Sequence, residues 1–266
     1  MPRRVESLLL GFIICLTLAG SFRSEAAVLV IPPGAPESVD AGLYPPLFGG
    51  PPRPDGLEDR WQQVYESRLF ASQKEPFLIL GMAFRPNREF GGAFSYENPD
   101  ISIWLSTTPE TEASLDFFGL ASHVGADAVE VIRRGPLALS SAGDPEIFDV
   151  ILTFDEPFFY DPAQGNLLFD VLNWQYDPAG AAAGTALDAS RIDGDGMSRA
   201  FNFGPGDGFG GSDDSIGLIT QFSIQPVPEP ATPLLILAGL SALAVRRVRP
   251  TGGGGGSPYH CNRIHK

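Results

Sequence analysis

Short apolar segments recur along the middle of the chain, separated by clusters of Gly, Pro, Asp and Asn. Phe77–Phe84 (FLILGMAF), Ile101–Thr107 (ISIWLST) and Ala128–Arg133 (AVEVIR) have the length and the β-branched or aromatic content of strands. Phe148–Phe154 alternates, with Phe148, Val150, Leu152 and Phe154 on one face and Asp149, Ile151 and Thr153 on the other. Leu167–Trp174, Ser198–Phe203 and Ile216–Ile224 complete the set. Arg60–Phe70 supports two readings. Trp61, Val64, Tyr65 and Leu69 fit a helical face, whereas Trp61, Gln63 and Tyr65 alternate as in a strand. Many short strands with turn signals between them, and no long amphipathic helix, predict an all-β fold over residues 60–225. The expected form is an antiparallel β-sandwich, jelly-roll-like. No repeat at solenoid or propeller spacing is present. Residues 27–59 are rich in Pro and Gly and are expected to form an extended lead-in.

The two ends have a different character. Arg3 and Arg4 precede the apolar run Leu8–Ala19, and small residues follow at Ser24 and Ala26. This is the order of a signal peptide over residues 1–26, with cleavage at Ala26 or Ala27. Near the other end, Val227, Pro228, Glu229 and Pro230 precede an apolar run at 231–245, which Arg246, Arg247 and Arg249 close. Such a run, as a helix, rises about 22 Å, so it predicts one short C-terminal transmembrane helix in a locally thinned bilayer. The arginines mark its cytoplasmic side. Two prolines hold the motif extended and deny it helical hydrogen bonds.

The order of Pro-Glu-Pro, short apolar helix and basic cluster over residues 226–250 resembles the PEP-CTERM sorting tail of bacterial surface proteins. The resemblance implies that a membrane-embedded exosortase recognises the tail and cleaves near the motif, after export through the Sec translocon. The catalytic residues would then belong to that partner. QQVYESRLF, ILGMAFRP, ISIWLSTT, EPFFYDPAQGNLLFDVLNW and GLITQFSI, spread over about residues 60–224, are also similar to a recurrent passenger type of that family. Family tails usually stop soon after the basic cluster. Here residues 251–266 add a glycine-rich extension that departs from the pattern. His260, Cys261 and His265 on that extension are of metal-ligating type but lie on a segment with no expected fold.

Charge and composition narrow the body's partners. Between Ala27 and Pro226 the chain carries 10 Lys and Arg against 29 Asp and Glu, a balance of −19. Phosphate backbones repel such a domain, so nucleic acid is not an expected partner. The 2 cysteines, Cys15 and Cys261, both lie outside the body, which excludes a disulfide framework there. The body has one histidine, His123, without a nucleophile-elbow motif near it, and no nucleotide-binding fingerprint. A catalytic carboxylate pair, as in glycoside hydrolases, stays open because acidic residues are so many. Asp193 and Asp195, spaced by glycine, with Asp207, Asp213 and Asp214 downstream, are candidate calcium ligands; the same Asp-Gly pattern also makes hairpin turns. Phe158, Phe159, Tyr160, Trp174 and Tyr176 are candidates for a carbohydrate-binding face, or for core. The expected function is therefore an exported, non-catalytic surface or matrix protein with no required cofactor. The alternatives are a lectin-like module binding carbohydrate or calcium and, further off, an enzyme of glycoside-hydrolase type.

Overall fold

The computed structural model describes residues 26–35, 47, 59–174, 185–202 and 212–227. Among them are fourteen strands and no α-helix. Four strands form one antiparallel sheet: β1 (Ala27–Ile31), β14 (Thr220–Pro226), β3 (Phe77–Phe84) and β7 (Val150–Tyr160), in that spatial order. Six form a second: β12 (Ser212–Asp214), β11 (Met197–Asn202), β2 (Asp59–Tyr65), β8 (Asn166–Asn173), β5 (Ala93–Thr108) and β6 (Val129–Ala142). Two ribbons pair β4 (Pro86–Gly91) with β9 (Thr185–Leu187) and β10 (Ala189–Ser190) with β13 (Gly217–Leu218).

The inner faces of the two large sheets share one core. β8 contributes Leu167, Phe169 and Val171, β5 contributes Ile101, Ile103 and Leu105, and β3, β7 and β14 answer with Ile79, Phe84, Leu152 and Phe222. All strand pairings are antiparallel, so the body is all-β and consistent with a sandwich. The period-2 alternation expected for 148–154 is borne out at Val150 and Leu152, which are buried, and at Ile151, which is exposed. Beyond it the β3–β7 register shifts, because Ile79 faces Phe158 while Gly81 faces Thr153. Pro157, which has no N–H to give a ladder, falls in the bulged stretch of β7. Opposite it the backbones pass closely: a Cβ on Gly81 would lie 2.8 Å from the Leu152 carbonyl oxygen.

Three expectations change. Ala27–Ile31, read as irregular lead-in, is a strand that pairs along its whole length with β14. The run AVLVI has β-forming side chains, and the prolines that follow it end the strand without preventing it. The ambiguous 60–70 stretch divides: Asp59–Tyr65 is a strand with Trp61, Gln63 and Tyr65 facing inward, and Ser67–Phe70 is a 3-10 turn. The 216–224 segment also divides, at Ile219, so that its first part joins a ribbon and its second part a sheet.

The 3-10 turn after β2 drives Phe70 into one end of the core. Its ring meets Phe77, Tyr160 and Phe222 at centroid distances of 6.0, 5.1 and 5.6 Å, two of them edge to face. Tyr65 packs edge to face on Phe222 at 5.2 Å and shares a 2.7 Å hydrogen bond with Thr220 Oγ1. Burial holds the Tyr65 and Tyr160 phenols far above their ordinary range, so both stay neutral. Phe70→Ala should cost about 3–5 kcal/mol, measured by denaturant unfolding. A loss under about 1 kcal/mol would show that the turn does not close the core.

Candidate functional site

The outer face of the six-stranded sheet carries more polar chemistry than a solvent face needs. Cross-strand pairing aligns Ala200, Gln62, Asp170, Trp104 and Glu130 in one row across β11, β2, β8, β5 and β6. The connection between β5 and β6, residues 109–128, folds back over half of this face. Its Leu115, Leu120, Phe117 and Val124 cover Val64, Leu168 and Ala200 in a small second core. The return passes so close to β5 that a Cβ on Gly125 would lie 1.8 Å from the Thr107 carbonyl oxygen; only glycine fits. The Gly125 amide donates to Ser106 Oγ at 3.1 Å, and Thr108 Oγ1 donates to the His123 carbonyl at 2.7 Å.

Beneath this roof runs a buried polar chain. Arg60 grips Asp170 with two bonds, Nε to Oδ1 at 2.9 Å and Nη2 to Oδ2 at 2.6 Å. Gln62 Nε2 donates to Asp170 Oδ1 at 3.1 Å and to the Leu120 carbonyl at 2.8 Å. Both amide protons are thereby used, so Gln62 Oε1 accepts from His123 Nδ1–H at 2.9 Å. His123 Nε2 then faces Asp116, 3.8 Å away. Burial pushes the Asp170 carboxyl above its ordinary range, and the bonds from Arg60 and Gln62 act against that shift. Both Asp170 oxygens are engaged and the residue is 2% exposed, so its carboxylate presents no face to a substrate.

Beside this roof lies a groove of about 330 Å³. Its floor includes Ser102, Trp104, Leu172 and Trp174, and Glu130 and Arg134 rise along β6. One hydroxyl pins both indoles: Ser102 Oγ accepts from Trp104 Nε1 at 3.4 Å and from Trp174 Nε1 at 3.2 Å. With their polar edges turned toward Ser102, the rings are held in fixed orientations along the groove. The Arg134 guanidinium lies 4.0 Å above the Trp174 ring and is bound to Asp100 through Nε–Oδ1 at 2.9 Å and Nη2–Oδ2 at 2.8 Å. Repeated register shifts between β5 and β6, from Asn98 to Trp104, bring Arg134 and Glu130 to the same groove.

The aromatic candidates separate. Phe158 and Tyr160 are core, Phe159 is exposed on the four-stranded sheet, Trp174 lines the groove, and Tyr176 lies outside the described residues. Sequence reading missed Trp104. Its signal is the alternation of ISIWLST, which sets a tryptophan opposite the buried Ile101, Ile103 and Leu105.

The candidate calcium loop is built differently from a ligand cage. The amides of Gly194 and Gly196 donate to the two oxygens of Glu112 at 2.6 and 2.7 Å, so the turn holds a carboxylate. Gly196 takes a positive φ of 93°, as such a turn requires. Asp193 bonds to Ser215, Asp195 bonds to Ser190 and to the Met197 amide, and Arg199 grips Asp214 with two bonds at 2.8 Å. Asp213 is exposed and Asp207 lies outside the described residues. Among the described residues no group of three or more His, Cys, Asp or Glu side chains is placed to hold a metal ion.

At the ends, Ala26 is exposed and Ala27 opens β1, while Val227 is exposed just after β14. Pro228, Glu229, Pro230, Arg246, Arg247 and Arg249 lie outside the described residues, as do residues 1–25. Among the described residues no helix is long and apolar enough to cross a membrane. No family model, curated protein or solved structure matches the chain.

Burial raises the Asp195 carboxyl above its usual range, opposed by its bonds to Ser190 and Met197. A carboxyl raised on folding favours the protonated form in the native state. Its contribution to stability is present at acid pH and lost as pH rises through the folded value. Asp195→Asn removes that titration and retains an acceptor for the Met197 amide. The melting temperature of the wild type relative to this variant should therefore be highest near about pH 4 and fall toward about pH 7. A difference that grew with pH would refute this account.

Proposed function

We propose that this chain is an exported, non-catalytic surface protein that binds extracellular polysaccharide through the Trp104–Trp174 groove. The observation that carries the reading is the pair of indoles fixed by one buried hydroxyl. Flat apolar rings in fixed positions offer stacking surfaces to the C–H faces of sugar rings, at little conformational cost on binding. Polar groups from Arg60, Glu130 and Arg134 border those surfaces and supply the few oriented contacts that a binding groove needs. An acidic body suits a soluble, self-repelling domain outside the cell.

The body is proposed to be a jelly roll. Eight of its strands are arranged as β1-β14-β3-β7 in one sheet and β2-β8-β5-β6 in the other. That order supports the double Greek key reading, with β11 and β12 extending the second sheet.

The address of the protein is read from its ends. A Sec-type signal over residues 1–26, a Pro228-Glu229-Pro230 motif, an apolar run and Arg246, Arg247 and Arg249 support export, membrane retention through a C-terminal helix and delivery to an exosortase. Ala27, at the start of β1, pairs with Ile224, near the end of β14.

Two measurements test the proposal. Trp104→Ala and Trp174→Ala should each weaken retardation of the protein in gels containing extracellular polysaccharide, on the order of 10-fold to 100-fold, while leaving thermal melting cooperative. Equal retardation of wild type and both variants would end the groove reading. Deleting residues 227–249 should release the body from the membrane fraction into the medium or periplasm. Continued membrane association of that variant would end the anchoring reading.

A further inference from the structure

Resting on the proposed glycan groove, we infer that its ligand is a glycan bearing free amino groups, an amino-sugar polymer whose ammonium is received by Glu130 beside Trp104. Trp104 and Glu130 are direct cross-strand partners on β5 and β6, so a carboxylate stands next to an indole within the same groove. On the other side of Trp104 stands Asp170, also a direct partner.

The charges along the groove are unequal in their freedom. Asp170 is neutralised by Arg60, and Asp100 by Arg134, each through two hydrogen bonds. Glu130 accepts the backbone amide of Arg134 at 3.0 Å through Oε1 and has no ion pair with any described residue. Among the described residues the groove therefore holds one carboxylate that no cation answers, while both guanidinium groups in its lining are paired. A uronate would meet no available cation and would be repelled by Glu130. An ammonium would find a charge-assisted bond.

A second observation points to the same ligand class. The Trp174 ring already carries a cation, the guanidinium of Arg134, 4.0 Å above its centroid. Indole faces in this groove thus accept positive charge, and Trp104 offers another indole where Glu130 adds a full negative charge. The long-range field has the same sign, since residues 27–226 carry a balance of −19 and draw polycations toward the surface. An amino sugar supplies both halves of the match: a ring face for the indole and an ammonium for the carboxylate.

The test is calorimetric titration of the full-length protein in detergent with three oligosaccharides of equal length: a glucosamine oligomer, its fully N-acetylated counterpart and a galacturonate oligomer. The glucosamine oligomer should bind about 10-fold tighter than the acetylated one, the scale of a hydrogen bond to a charged group, and the galacturonate should be weakest. Glu130→Gln retains an oxygen acceptor for the Arg134 amide and should abolish the preference for the amine, so that the glucosamine and acetylated oligomers bind the variant alike. A melting curve unchanged from wild type checks that the variant folds. Equal or tighter binding of the acetylated or acidic oligomer, or a preference that survives Glu130→Gln, would overturn the amino-sugar assignment and leave the glycan groove standing. No binding of any of the three would overturn both.

Discussion

A carboxylate taken out of water on the face of a sheet must be answered on every side. Asp170 sits at the centre of the outer face of the six-stranded sheet, and Arg60 and Gln62 answer it. Losing one partner of such a buried pair typically costs about 3–5 kcal/mol, because the other charge is left stranded. Gln62 does more than satisfy the acid. Its amide also holds the Leu120 carbonyl and the His123 ring, so the charge at the centre of the sheet fixes the path of the β5–β6 connection. The roof in turn keeps water from Asp170. Each element is stable because the other is present, and the edge of that roof is one wall of the groove.

The division of the sheet face follows from this arrangement. Where the face is apolar, at Val64, Leu168 and Ala200, the connection lies down on it and buries it. Where the face carries Trp104 and Ser102, the connection has already turned back toward β6. The tryptophans are left partly exposed in positions set by a hydroxyl that has no freedom to move, since Ser102 is itself buried. Exposed tryptophans in a sheet more often reflect a shortage of cover than a purpose. Here the rings share one buried acceptor, and Trp104 is the cross-strand partner of Glu130, which has no ion pair among the described residues.

The sequence made some of this legible and concealed the rest for physical reasons. Strand segments such as Phe77–Phe84 and Leu167–Trp174 could be read because burial on one face leaves a period in the chain. The first half of β5, Ala93–Asp100, could not: it ends in Glu97-Asn98-Pro99-Asp100, a turn-like run that hides its continuation into Ile101. β1 was hidden by the Pro- and Gly-rich run that follows it. The polar chain was beyond reach altogether, since Arg60 and Gln62 stand 110 and 108 residues from Asp170 and meet it only through β2–β8 pairing. His123 was identifiable as the body's lone histidine, but its structural role depends on a tautomer fixed by Gln62. The acidic loop at 193–195 also has a partner that its spacing does not reveal. Its spacing suggested cation ligands, and its backbone amides hold the carboxylate of Glu112, a residue 82 positions from Gly194.

The placement of the termini bears on how such a groove could work. β14 lies between β1 and β3, laddered on both sides, and Val227 follows it directly. β14 is thus held by two ladders at once, so drawing it out of the sheet requires many hydrogen bonds to yield together. The groove lies on the other sheet, on the face turned away from the shared core. A polymer held there and a membrane holding the tail would act on opposite layers of the body. The force between them would cross the aromatic core around Tyr65, Phe70 and Phe222, where a ring of β14 meets rings carried by β2 and the turn that follows it. A tether made of a single strand pair would have no such path, and a groove on the four-stranded sheet would put the polymer and the anchor on the same strands.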